Sequence, residues 1–121
     1  MAIDVLYEAD ILGRKPAEVL EEWRTAGRVV PPYAEELVAG VERDANAIDA
    51  TLAAHAEGWP VHRMATVDRN ILRVACYEVT SGLPVAVAVN EAVELAHDLS
   101  TEDSGRFING VLGRIAREGE S

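Results

Sequence analysis

The sequence predicts an all-α protein, a compact bundle of about six or seven helices. Apolar residues recur at intervals of three and four over most of the chain, glycines and prolines fall between these periodic blocks, and no segment alternates like a strand over a convincing length. The 121 residues suffice for one core and hardly for two, so one domain over 1–121 is expected.

The first block, Ala2 to Leu12, stops at Gly13 with Pro16 beyond it. A second, Pro16 to Ala26, puts Val19, Leu20 and Trp23 on one face and ends before Gly27. After Pro31 and Pro32 a third block runs from Tyr33 to about Glu57 with Leu37, Val38, Val41, Ala45, Ile48 and Leu52 in step, which predicts one long amphipathic helix. Gly58 closes it. Trp59 and Pro60 open a connector to Thr66, an expected N-cap with Asp68 in the first turn. From Val67 to Val79 almost every side chain is apolar, as expected of a central helix. Pro84 to Val89 alone could pass for a strand, but Val85, Val89, Val93, Ala96 and Leu99 continue a helical stripe. Ser100 and Thr101 are expected to cap a last helix whose core face is Phe107, Ile108, Val111, Leu112 and Ile115, with Gly119 past its end.

Apolar residues make up 49% of the chain and charged ones 26%, which is globular and gives no case for disorder. The longest apolar run, Leu83 to Val89, is far too short for a membrane span, and the N-terminus lacks a signal-peptide layout, so a cytoplasmic protein is expected. The single Cys76 excludes an internal disulfide and a multi-cysteine metal site, and its apolar neighbours predict a buried thiol. The net charge of −10 argues against gripping nucleic acid through an average field, so any RNA contact must be local. Residues 1–58 hold five basic and twelve acidic side chains, net −7, against six and nine, net −3, in 59–121. The second half is the better place for such a contact.

His55, His62 and His97 lie on separate elements without carboxylates at ligand spacing, so no metal is expected. No glycine-rich phosphate loop, nucleophile elbow or Cys-His pairing is present, and neither catalysis nor a cofactor is expected. Two polar strips remain. On the central helix a 100° step brings Arg69, Asn70 and Arg73 together beside Asp68, either as an RNA-facing strip or as arginines paired with acidic neighbours. On the last helix Arg106, Gly110, Gly113, Arg114 and Arg117 form a basic row, which either meets a partner or complements the helix dipole.

The stretch Trp59 to Val79 (WPVHRMATVDRNILRVACYEV), followed in order by Val89 to His97 (VNEAVELAH) and Ser104 to Gly113 (SGRFINGVLG), resembles the NusB family of bacterial transcription antitermination factors. The N-terminal half is similar more loosely, through Leu6-Tyr7 and the helix with Leu37, Gly40 and Ile48. The resemblance implies two packed three-helix lobes, about 1–58 and 59–121. It also implies binding of boxA RNA jointly with NusE, a small-subunit ribosomal protein, so that the transcription elongation complex reads through terminators in ribosomal RNA operons without any turnover. Carried over, Tyr7 and Asp68 fall on the surface that meets the ribosomal protein, with Leu99 beside them. Phe107 falls where the family contacts RNA, with Asp103 and Arg106 next to it, and Arg69 and Arg73 join them as RNA-facing candidates. An aromatic with a neighbouring guanidinium suits single-stranded RNA, whose bases are free to stack. Phe107 also has core spacing. Family members include monomers and dimers, so a homodimer is among the implied partners.

In the family an arginine-rich segment precedes the first helix, whereas this sequence starts within it; the expectation is a chain shortened at its N-terminus and weak RNA binding by the 121 residues alone. Two other readings stay open. One is a protein-interaction module that does not touch RNA, which the acidity favours. The other is a relative of the NusB-like domain of some ribosomal RNA methyltransferases, for which no cofactor pocket is apparent.

Overall fold

The computed structural model describes residues 2–56 and 58–119, and among these it holds seven α-helices and no strand. They are α1 (Ala2–Leu12), α2 (Pro16–Thr25), α3 (Pro32–Arg43), α4 (Ala45–His55), α5 (Thr66–Thr80), α6 (Val85–Leu99) and α7 (Glu102–Gly119), with one 3₁₀ turn at Val61–Arg63. The expected all-α class is what the structure shows. None of these helices is long and apolar enough to cross a membrane.

Helices α1, α2 and α3 pack on one another, as do α5, α6 and α7, and α5 also touches α1, α3 and α4. One core runs through both sets. Its largest fully buried members are Leu52, Ile71, Leu72 and Ile108, drawn from α4, α5 and α7. The predicted central helix is therefore α5, where Ile71, Leu72, Val74, Ala75, Cys76 and Tyr77 are all buried. Burial pushes the Cys76 thiol up and keeps it protonated.

Local chemistry sets most boundaries. Gly13 takes φ +64, which lets the Arg14 N–H turn back to the Ala9 carbonyl at 2.9 Å and closes α1. Pro32 opens α3 at a position where a missing N–H costs nothing. Thr101 Oγ1 accepts the Ser104 N–H at 3.1 Å, so the expected cap of the last helix is present. Gly40 of α3 faces Tyr77 of α5, and a Cβ there would overlap the phenol ring; the missing side chain is what lets these helices approach.

Three expectations need correction. The long third helix is two helices, broken at Asp44 (φ −99°, ψ 14°), whose carboxylate is held by Arg43 at 3.1 Å through both oxygens and caps nothing. The apolar stripe keeps its phase across the break, but α3 packs on α1 and α2 while α4 packs on α5 and α7, so the chain has to turn. Thr66 is the first helical residue of α5 rather than its cap, and Ala65 precedes it without a side-chain bond. On α6 the buried residues are Ala88, Ala92 and Ala96, whereas Leu99 is 48% exposed. Three alanines on one face let α6 lie close to its neighbours, and the valines are left at the edges.

Candidate nucleic-acid interface

The connector before α5 and the first turns of α7 meet at one end of the bundle. Trp59, half exposed, stands over Phe107 with ring centroids 6.4 Å apart and an interplanar angle of 64°, an edge-to-face pair. The two rings border a notch completed by Ala65, Asp68, Asp103 and Ser104. Phe107 has both roles its spacing allowed: it packs partly against the core and lines this opening.

Asp68 forms the acidic part of the notch wall. It is only 7% exposed, its Oδ2 accepts the Ser104 hydroxyl at 2.9 Å, and its Oδ1 has no hydrogen-bond partner. Expected on a protein-facing surface with Tyr7 and Leu99, it is instead gathered with Phe107 and Asp103, while Tyr7 and Leu99, both exposed, do not line the notch. The side chains of Asp103 and Arg106 are largely in solvent, and Arg106 touches Asp103 and Glu102 only at 3.5 and 4.0 Å. Such contacts hold a guanidinium weakly, so Arg106 stays available to another anion.

Arg69 and Arg73 are a correction to the RNA-facing set. Arg69 Nε donates to Asp10 at 2.8 Å, and its Nη1 reaches the carbonyls of Val61, His62 and Met64 at 3.3–3.4 Å. Arg73 grips both oxygens of Asp49 at 2.9 Å and adds Asp10 at 3.2 Å. Asn70 donates to Asp10 as well. Burial alone would raise the Asp10 carboxyl, but the hydrogen bonds from Arg69 and Asn70 and the two guanidiniums outweigh it and hold the group below the usual range. Both arginines thus bind α1 and α4 to α5 and present little charge outward. Of the basic row on α7, Arg114 is committed to the His55 carbonyl at 2.7 Å, which leaves Arg106 beside the notch.

Trp59 and Ser104 are the site residues the sequence reading passed over. A tryptophan in a short proline-containing connector, with no helix to bury it, was the available signal.

The NusB family model matches residues 1–117. The chain belongs to the NusB family. The transcription antitermination protein NusB of Salinispora tropica is 49% identical over 95% of this chain and 89% of its own length. Among solved structures, T. maritima NusB superposes with a TM-score of 0.81 at 32% identity, covering 97% of this chain and 86% of that one. NusB in a complex of antitermination factors NusB and NusE with double-stranded RNA superposes at 0.83 with 28% identity, covering 97% and 91%. Family membership and fold agree with the resemblance carried by the three ordered segments.

Proposed function

We propose that this protein is a cytoplasmic transcription antitermination factor that holds a boxA-type single-stranded RNA together with the ribosomal protein NusE and joins the elongation complex, with no chemical turnover. One observation carries the RNA part: Phe107 and Trp59 present aromatic surface at the start of α7 beside a guanidinium, Arg106, that nothing else holds firmly. Bases stack on such rings whatever their identity, and a loosely held arginine meets the phosphate. Asp103 stands on the same rim. The NusB–NusE–RNA complex among the structural relatives supports the pair of partners.

For the ribosomal protein, α1 offers exposed apolar residues, Tyr7, Ile11 and Leu12, and α6 ends in exposed Leu99. A surface of this kind with a −10 body suits a basic protein partner. The same features favour the second reading, a protein-interaction or dimerisation module without RNA contact.

Titration of boxA-type RNA, with and without NusE, separates the two. Replacement Phe107→Ala should lower RNA affinity by about tenfold, the scale of one lost base stack, and leave NusE binding unchanged. Equal RNA affinity for the variant, or chemical shifts at Tyr7 and none at Arg106, would favour the interaction module.

A further inference from the structure

We infer that the notch between Trp59 and Phe107 is a subsite for one unstacked nucleobase of single-stranded RNA, read at an amino-bearing edge by Asp68. The inference rests on the RNA-binding reading above and adds to it two residues, Trp59 and Asp68, that face a base rather than a protein. The rings stand at 64° and form a corner, so a base stacked on one meets the edge of the other. With a volume of 390 Å³ the notch is large enough for a purine.

The acid in the wall gives the corner its selectivity. Leaving a buried carboxylate oxygen without a donor costs free energy, and Asp68 Oδ1 is such an oxygen. A ligand that brings an N–H recovers the loss. An ionised carboxylate only accepts, so it favours the exocyclic amino groups of cytosine, adenine or guanine. Uracil, with two carbonyls flanking its one N–H, fits worse.

The acceptor is also held in place. Ser104 donates to Asp68 Oδ2, and its own backbone N–H is fixed by the Thr101 cap of α7. The Trp59 wall is held from behind by Arg69, which pins three carbonyls of the connector and is itself anchored on Asp10. Arg69 is therefore a positioning residue. A cationic side chain from a protein would also suit Asp68 and Asp103. Arg106 on the rim opposes it, since that guanidinium repels an incoming cation and attracts the phosphate that carries a base.

The test uses the full chain with Trp23→Phe, which leaves Trp59 as the sole tryptophan, and ten-nucleotide RNAs of cytidine, adenosine or uridine at low salt. Tryptophan fluorescence reports the notch and anisotropy reports binding. Cytidine and adenosine strands should quench Trp59 and bind about fivefold tighter than uridine, the scale of one hydrogen bond. In a further variant Trp59→Ala should weaken binding about tenfold and Trp59→Phe should restore most of it. Asp68→Asn should abolish the preference among bases while circular dichroism stays unchanged. If RNA binds and Phe107→Ala weakens it, yet Trp59 is not quenched and its variants are neutral, the subsite is wrong and the RNA reading survives. Absence of binding by every strand overturns both. Quenching by an arginine-rich peptide and not by RNA assigns the notch to a protein and overturns the subsite.

Discussion

Arg73 carries a full charge on a helix face and shows almost none of it. Its guanidinium spans Asp49 and Asp10, so Arg73→Ala would strand two partly buried carboxylates, and a loss of about 2 kcal/mol in denaturant unfolding is expected for a pair this exposed. RNA affinity should not change; a loss of affinity in a variant of unaltered stability would return Arg73 to the RNA face. The strip Arg69-Asn70-Arg73 was legible in the sequence as a strip. Its destination was not, because Asp10 lies 59 to 63 residues away and spacing along one helix says nothing about what packs across it. Glu78 makes a similar point with the opposite sign. Burial pushes its carboxyl up, the nearby Glu91 adds to this, and the Tyr33 hydroxyl at 2.6 Å offsets only part. A raised folded value means that Glu78 supports folding most at low pH and loses that support as pH rises from the ordinary glutamate value, about 4.3, through the folded one. Glu78→Gln, which keeps an acceptor for Tyr33, should raise Tm at pH 7 and change it little at pH 4. An equal effect at both would show that the carboxyl titrates normally.

At the scale of elements, the helical class and most boundaries were legible because Gly13, Gly27, Pro16, Pro32 and Gly82 stand between periodic blocks. The break between α3 and α4 was not, since periodicity reports which face is buried and carries no information on axis direction. Helix α7 shows what sequence distance hides. Its C-terminal end is clasped to α4 by His55, whose Nδ1 faces the Thr51 carbonyl at 2.7 Å and whose Nε2 faces Glu118 at 2.5 Å. Two acceptors on one ring require two donated hydrogens, hence an imidazolium. The Thr51 carbonyl raises the His55 pKa first of all, burial opposes it, Glu118 raises it further, and Arg114 works against the charge. With the folded value raised, the clasp contributes fully below the unfolded value, about 6.5, and is lost as pH rises through the folded one. Amide exchange in the last turns of α7 should therefore quicken above that titration, once corrected for intrinsic rates, and His55→Ala should abolish the pH dependence. A protection pattern flat with pH in the unaltered protein would dispose of the clasp.

For the molecule as a whole, the charge was the most readable property and the structure sharpens what it means. Among the described residues Arg14, Arg24, Arg43, Arg69 and Arg73 are paired with carboxylates, so a −10 body is also one whose cations are mostly spent internally. RNA binding by such a surface has to come from stacking and local hydrogen bonds at the Trp59–Phe107 end, with Arg106 meeting one phosphate or two. Each phosphate neutralised on a single strand contributes roughly 0.7 to the salt slope. The logarithm of the association constant against the logarithm of salt should therefore fall with a slope no steeper than about −2 for the 121-residue chain alone. Affinity should be weak, and addition of a basic protein partner should both raise it and steepen the slope, because the partner brings the cations that this chain keeps for itself. A slope near −5 in the isolated chain would mean that a broad basic surface forms on binding, and the aromatic corner would no longer be the main source of affinity.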